Sequence, residues 1–315
     1  MAAQRIVVLG GSGFVGGHLC ARLAAAGHEL VVPTRSRERS RRLILLPTID
    51  VVETDIHEPA KLDAVVRGAD AVVNLVGILN PWGRYSFERV HVELARNVVA
   101  ACRAGGVPRL MHMSALNAAS DGPSDYLKSK AEAEAIVAAS PLAWTVFRPS
   151  VIFGPDDHLL TLFARLAHAL PVLALPAADA KFQPVWVGDV VTAFERSLAL
   201  VDTAGQRYDL CGPTVYTLQE LVRFCAETSG AVRPIVPLRG ALATLQAFVL
   251  EHLPGRLMSR DDLKSMSRDS VCGCPFPPIF GIEPASLEAL APAWLAPEAQ
   301  RDRYDAIRVR ASLGR

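Results

Sequence analysis

The stretch Gly10-Gly11-Ser12-Gly13-Phe14-Val15-Gly16 constrains this chain more than any other. It follows the apolar run Ile6-Val7-Val8-Leu9 and leads into the helical pattern His18-Leu19-Cys20-Ala21-Arg22-Leu23. That order reads as strand, tight turn, helix. Gly10, Gly13 and Gly16 are spaced GxxGxxG, one residue away from the GxGxxG dinucleotide fingerprint. The first glycine lets the chain turn, the second admits a pyrophosphate against bare backbone, and the third lets helix and strand pack closely. The helix N-terminus adds unpaired N–H groups and a partial positive charge. All seven residues are therefore candidates for holding a nucleotide; an ordinary glycine-rich turn is the alternative.

The rest of the N-terminal half repeats this alternation. His28–Val32 reads as a second strand, ending in Pro33-Thr34-Arg35-Ser36 where an NAD-selective site expects an acid for the ribose 2′-hydroxyl. The edge is basic instead, with Arg37, Arg39, Arg41 and Arg42 following. A guanidinium with small hydroxyls suits a 2′-phosphate, so Thr34, Arg35 and Ser36 point to NADP(H) in preference to NAD(H). The remaining arginines read as a solvated helix face. Ile49–Val52 is a third strand, after which Asp55 could accept from an adenine amino group or cap the helix that Pro59 starts. Ala71–Gly77 is a near-continuous apolar fourth strand, as a sheet covered on both faces requires. Its Gly77 either lets backbone approach a cofactor or makes a turn. A helix over Phe87–Arg103, a fifth strand Arg109–Ser114, a helix over Asp125–Ala139 and a sixth strand Trp144–Arg148 follow. The pattern predicts an α/β fold, a doubly wound parallel sheet of Rossmann type. Arg207–Leu210 reads as its last strand, and a helix that Asp189 could cap precedes it. We expect residues 1–153 and 183–212 to form the dinucleotide-binding domain. Residues 154–182 and 213–315 should form a smaller, mostly helical lobe.

Composition narrows the partners. With 315 residues, half of them hydrophobic, and a net charge of +1, the chain gives no reason to expect nucleic acid. The six cysteines are scattered, and no secretory segment precedes the first strand, so reduced thiols in a cytoplasm-like compartment are expected. Cys272-Gly273-Cys274 has neither a second pair nor a nearby His, and no metal site is expected. No apolar run reaches the roughly 18 residues of a spanning helix, which predicts a chain that does not span a membrane. The segment from Ala241 to Leu253, closed by Pro254-Gly255, places Leu242, Leu245, Val249 and Leu253 on one helical face. It either packs on its own core or, with Cys274-Pro275-Phe276-Pro277-Pro278-Ile279-Phe280, docks on a membrane-bound partner.

A second motif carries chemistry. In Tyr126-Leu127-Lys128-Ser129-Lys130, the Tyr and the second Lys stand four apart and share one helix face. Lys130 can lower the phenol's pKa and donate to nicotinamide ribose hydroxyls, while Tyr126 exchanges a proton with an alcohol or ketone. Alone the pair is a weak signal. Joined to the glycine loop it is a strong one.

With these motifs the chain resembles the short-chain dehydrogenase/reductase superfamily, in its extended and atypical branches, over most of its first 215 residues. The resemblance rests on residues 10–16, Asp55-Ile56, Asn74-Leu75-Val76-Gly77, Ser114, Tyr126 with Lys130, Arg148-Pro149-Ser150-Val151-Ile152-Phe153-Gly154-Pro155, and Val187-Gly188-Asp189-Val190. Met113–Ala118 and Tyr126–Glu134 are similar to the group of the 39-kDa accessory subunit of respiratory complex I and its bacterial relatives. The resemblance implies catalytic roles for Tyr126, Lys130 and Ser114. It also implies cofactor contacts from Asp55, Ile56, Val76, Gly77, Lys130, Pro149 and Ile152.

The chain departs from the family's pattern at one position. Active members carry Ser or Thr about two residues past Ser114, where this chain has Leu116, and leucine cannot donate to a substrate oxygen. His91, where the extended branch often has Asn, reads as a helix-surface histidine. Two functions follow. One is a nucleotide-binding protein of low or no turnover, accessory to quinone-linked electron transport. It would be cytoplasmic or peripheral to an inner membrane, with a respiratory complex or quinone as partner. The other is an active NADP-dependent oxidoreductase, or an epimerase/dehydratase-type enzyme, using Tyr126 and Lys130.

Overall fold

Apolar segments joined by helices build one parallel sheet. A computed structural model describes residues 3–252 and 258–297. The strands are β1 (Arg5–Leu9), β2 (Glu29–Thr34), β3 (Ile49–Glu53), β4 (Ala71–Asn74), β5 (Arg109–Met113), β6 (Ala143–Pro149) and β7 (Gln206–Leu210). Their spatial order is β7-β6-β5-β4-β1-β2-β3, so the chain reverses direction across the sheet between β1 and β4. Ligands of open α/β sheets bind at the carboxyl ends of strands beside such a reversal.

The inner strands are apolar on both faces because each face is covered, whereas the edge strands β3 and β7 carry polar residues. The helices are α1 (Phe14–Ala25), α2 (Pro59–Val66), α3 (Leu94–Gly105) and α4 (Asp125–Ala138). On one side Val7, Leu9, Val72, Leu110 and Val146 pack with Leu62 and Val66 of α2, Leu94 and Val98 of α3, and Ala133 and Val137 of α4. On the other, α1 lies beside α5 (Val187–Ala199), tied by an Arg22–Glu195 ion pair. Phe147 of β6 meets Phe194 of α5 with ring centroids 4.1 Å apart. Burying each such side chain contributes about 1.5–3 kcal/mol.

The chain divides into two units. The first comprises Met1–Ser150, Val187–Cys211 and Cys272–Glu283. The last of these segments was expected in the second lobe. It packs instead by Phe280, which lies 4.8 Å from Tyr208 and 5.9 Å from Phe147 between ring centroids. A disulfide joins Cys211 to Cys272, with Cα atoms 6.1 Å apart and a sequence separation of 61. This corrects the expectation of six reduced thiols. Nothing local in the sequence marks a pair so far apart, and only the return of residues 272–283 brings it together. Cys20, Cys102, Cys225 and Cys274 are free.

The second unit comprises Val151–Trp186, Gly212–Val271 and Pro284–Arg315. Its core joins the helix Leu159–Ala169 to the helix Leu218–Thr228 through Leu160, Phe163, Leu221, Val222 and Cys225. The second helix starts at a capping box of Thr217 and Glu220. The sequence shows no strand alternation here, yet Leu173–Pro176 pairs in parallel with Ile235–Leu238. The helix Gly240–His252 presents Leu242 and Leu245 to solvent at 62% and 59% exposure, while Ala243 and Ala247 are buried. Its large apolar face therefore does not pack on its own core. Phe276 and Phe280 are buried and belong to the first unit. Leu253, Pro254 and Gly255 lie outside the described residues. Among the described residues, no helix is long and apolar enough to cross a membrane.

Candidate functional site

The glycine loop stands where the sheet reverses. Gly10 takes φ +80°, and a Cβ there would lie 3.2 Å from Leu75 C and from Val76 N at the end of β4. Gly16 has no room for a side chain, since a Cβ would meet Gly10 O at 2.2 Å and Gly11 Cα at 2.6 Å. Helix α1 can thus start close against the loop only because both positions are glycine. Gly13 precedes α1 in extended conformation and no side chain caps the helix. Ser12 and Gly13 are exposed, Phe14 is half-buried, and Val15 turns into the core. Leading N–H groups without a side-chain cap, beside exposed and side-chain-poor backbone, fit a pyrophosphate.

The end of β2 is more self-contained than its hydroxyls suggest. Thr34 is buried, and its Oγ1 donates to Ser36 O at 3.2 Å while accepting from Ser40 Oγ at 3.2 Å. These bonds shape the turn, so Thr34 is committed to its own loop. Ser36 is half-buried at the start of the turn Arg37–Ser40, and Arg35 is exposed. Arg35 places its Cζ 4.9 Å from the ring centre of Tyr85. Asp55 does not cap α2. One oxygen accepts from His57 N–H at 3.1 Å, the other accepts from Arg84 Nη2 at 3.0 Å, and Glu58 occupies the cap position of α2. Ile56 and Val76 are partly buried against the core. Tyr85 and Arg84 escape a motif search because they sit in a loop without periodicity.

The Tyr126/Lys130 pair lies on α4 as the four-residue spacing requires. Ser124 caps this helix by accepting from Leu127 N–H at 3.2 Å. Lys130 is buried and its Nζ donates to Met113 O at 3.1 Å. Burial pushes its pKa down to about 8. A Cβ on Gly77 would stand 3.1 Å from Lys130 Nζ, so the fourth-strand glycine admits the lysine. Tyr126 is half-buried, its ring edge-on to Phe87 and to His91 at 6.0 and 5.7 Å. Ser114 is buried, its hydroxyl beside Glu134 and without a hydrogen bond of normal geometry.

His91 is buried, which corrects the surface reading. Residues Glu88–Glu93 form a π-helical turn ahead of α3, and His91, three, four and seven residues before Leu94, Ala95 and Val98, lies on the face that α3 buries. Its Nε2 accepts from Ile78 N–H at 3.1 Å, and its Nδ1 lies 2.8 Å from Ser129 Oγ. Ser129 in turn donates to Tyr126 O at 2.8 Å, so the ring carries its proton on Nδ1. Burial, and then the neighbouring Lys130 charge, hold this imidazole neutral. One histidine thereby ties the backbone after Gly77 to the helix of Tyr126 and Lys130. His112, on β5, is likewise neutral from burial and from Lys130, and its Nδ1 lies 3.3 Å from Asn74 Nδ2.

Leu116 is buried, and its N–H donates to Pro149 O at 3.0 Å. It thus extends the β5–β6 pairing and offers no side-chain donor. Ile152 belongs to the second unit, where Ile152–Phe153 pairs in parallel with Val185–Trp186. No group of three or more potential metal ligands occurs among the described residues.

Known proteins share this architecture. Residues 10–165 match a family described as NAD(P)H-binding. A nucleoside-diphosphate-sugar epimerase from Staphylococcus aureus has the same fold, with a TM-score of 0.69 and 19% identity over 90% of this chain and 98% of that one. The dTDP-glucose 4,6-dehydratase DesIV of Streptomyces venezuelae, with NAD bound, gives a TM-score of 0.63 at 23% identity over 75% of this chain and 85% of that one. Sequence similarity is broader. The 40 kDa subunit of mitochondrial NADH-ubiquinone oxidoreductase of Neurospora crassa is 29% identical over 91% of this chain and 77% of its own length. The NADH dehydrogenase [ubiquinone] 1 alpha subcomplex subunit 9 of Arabidopsis thaliana is 30% identical over 84% of this chain and 70% of its own. A ceramide reductase of Caulobacter vibrioides is 31% identical over 74% of this chain and 73% of its own. A glycine loop at the sheet reversal, a Tyr and a buried Lys on α4, and these relatives agree: the chain belongs to the NAD(P)H-binding family of short-chain dehydrogenase/reductase-like proteins, homologous to the accessory 39-kDa subunits of complex I and to reductases.

Proposed function

We propose that the chain binds NADP(H) in preference to NAD(H), turns it over slowly or not at all, and is an accessory component of quinone-linked electron transport at a membrane periphery. The observation that carries the low-turnover reading is Leu116. Its buried aliphatic side chain stands where active relatives of this superfamily place a hydroxyl, and an oxyanion-type donor lost there typically removes about 3 kcal/mol of transition-state stabilisation. Bound nicotinamide would supply hydride. Around it the glycine loop 10–16 would hold the pyrophosphate and Arg35 the 2′-phosphate. Lys130 would donate to the ribose hydroxyls, with Val76, Gly77 and Pro149 lining the nicotinamide end and Asp55 and Ile56 the adenine end. Tyr126 and Lys130 serve cofactor retention as well as catalysis, so their presence is compatible with a silent site. Two features support a docked state. The relatives include subunits of mitochondrial NADH dehydrogenase, and the helix Gly240–His252 leaves Leu242, Leu245, Phe248 and Val249 exposed.

The second reading is an active NADP-dependent oxidoreductase, favoured by the intact Tyr126/Lys130 pair and the similarity to a ceramide reductase. Oxidation of NADPH with a panel of carbonyl substrates separates the two. We expect turnover far below the roughly 10 per second typical of enzymes. Leu116→Ser should raise it, and Tyr126→Phe should abolish what remains. Wild-type turnover in the ordinary enzymatic range would overturn the accessory reading.

A further inference from the structure

Beyond the glycine loop and the Tyr126/Lys130 face, the first unit carries a third cluster, built from three separate loops. Arg35 follows β2, Asp55 and His57 follow β3, and a tight hairpin from Trp82 to Tyr85 follows β4. Two backbone hydrogen bonds close the hairpin, Trp82 N–H to Tyr85 O at 3.0 Å and Tyr85 N–H to Trp82 O at 2.9 Å. Gly83 takes φ +55° within it. Trp82 lies nearly parallel to Tyr85, 12° between ring planes and 6.4 Å between centroids, and His57 stands 5.5 Å away. The phenol ring is thus held in place before any ligand arrives.

Two guanidinium groups converge on this ring. Arg35 Cζ lies 4.9 Å from its centre and Arg84 Cζ 5.3 Å. Arg84 also donates to Tyr85 Oη at 3.2 Å and to Asp55 Oδ2 at 3.0 Å. Both arginines lower the Tyr85 phenol's pKa by hydrogen bonding, Arg35 most strongly. At His57 burial lowers the pKa first, and Arg89, Arg35 and Arg84 lower it further against the opposing charge of Asp55. The field at this corner therefore sets several cations against Asp55, with Glu58 acting on Arg84 as well. Glu53, the other acid at the strand end, is engaged by the Arg37 backbone N–H at 3.2 Å. Two like charges brought to one aromatic ring form a site that an added dianion relieves.

We propose that Arg84 and Tyr85 complete, with Arg35, a recognition site for the 2′-phosphorylated adenosine end of the dinucleotide. The inference rests on the reading that the chain prefers NADP(H), and it extends that reading to the loop after β4. Arg84 supplies a second fork of donors to the phosphate and screens Asp55, whose negative charge would otherwise repel it. Tyr85 holds both guanidinium groups at a fixed spacing and offers its ring edge to the nucleotide. The phosphate is thereby gripped from two loops, and the hairpin acts as a specificity determinant.

The test is calorimetric titration of the full chain with NADPH, NADH and 2′,5′-ADP. The variants are Arg35→Ala, Arg84→Met and Tyr85→Leu, each checked for unchanged thermal unfolding. Arg84→Met keeps the aliphatic stem and removes the donors. It should weaken NADPH and 2′,5′-ADP about tenfold and leave NADH within about twofold, as expected for one charge-assisted contact. Tyr85→Leu, which spares the Arg84–Asp55 pair, should shift the same two ligands in the same direction. If Arg35→Ala removes the preference while Arg84→Met and Tyr85→Leu do not, the hairpin site is overturned and the NADP(H) reading stands. Equal weakening of NADPH and NADH by Arg84→Met also overturns it, because the arginine then serves the dinucleotide generally. A wild type that binds NADPH and NADH equally overturns the cofactor reading and this inference together.

Discussion

Lys130 is buried within α4 and its Nζ donates to a single backbone oxygen, Met113 O. An ammonium so enclosed is poorly solvated, which is why its pKa falls from an ordinary 10.5 to about 8. Between those values the unfolded chain binds the proton and the folded chain does not, so the lysine's contribution to stability rises with pH across that window. Below about pH 8 the buried charge is a penalty, on the order of 3 kcal/mol for a shift of this size. Lys130→Met should therefore stabilise the nucleotide-free protein at pH 7, and the difference from wild type should shrink as pH approaches 10. Urea denaturation at both pH values reads this; a difference that does not change with pH would contradict it. The Tyr126/Lys130 spacing was legible in the sequence because four residues return a helix to the same face. The burial of His91 was overlooked, although its place three, four and seven residues before Leu94, Ala95 and Val98 puts it on the face that α3 buries. Arg84 and Tyr85 gave no signal, since their roles come from a hairpin meeting the ends of two other strands.

At the scale of elements, the turn between β1 and α1 sets the geometry of the site. Gly16 and Gly17 are adjacent in sequence but opposite in their demands. A Cβ on Gly16 collides with backbone of Gly10 and Gly11, whereas one on Gly17 meets nothing within 4 Å. Gly16→Ala should push α1 from the loop, destabilise the fold and abolish nucleotide binding. Gly17→Ala should bind normally and gain up to about 1 kcal/mol, since alanine is the better helix former. Thermal unfolding with and without NADPH distinguishes them, and equal behaviour of the two variants would contradict the assigned packing. The strand–turn–helix order was readable because the buried strands are runs of Val, Ile and Leu and the glycines punctuate them. The helix Gly240–His252 was only half readable. Its leucines do share a face, but its alanines Ala243 and Ala247 are what the second unit buries.

Over the whole molecule, the sheet order and the glycine loop suit a nucleotide-binding protein, and the proposed docking is assigned to the exposed face of the helix Gly240–His252. Substituting Leu242 and Leu245 together by Glu touches no buried residue, so stability should change by only about 0.5 kcal/mol per site. Nucleotide binding should persist while association with membranes of the source cell is lost on fractionation; unchanged sedimentation with the membranes would count against docking through this face. The extent of the first unit was the least legible feature. The sequence offers no hint that Cys272–Glu283 returns to it, or that Cys211 and Cys272 pair across 61 residues. Long-range closure leaves no local periodicity to read. The central claim, a chain built to retain NADP(H), is tested most directly by mass spectrometry of the nucleotide released on denaturing the purified protein. The account predicts NADP(H), close to one per chain. Recovery of NAD(H) in its place, or of no dinucleotide from protein that also fails to take up NADPH, would contradict it.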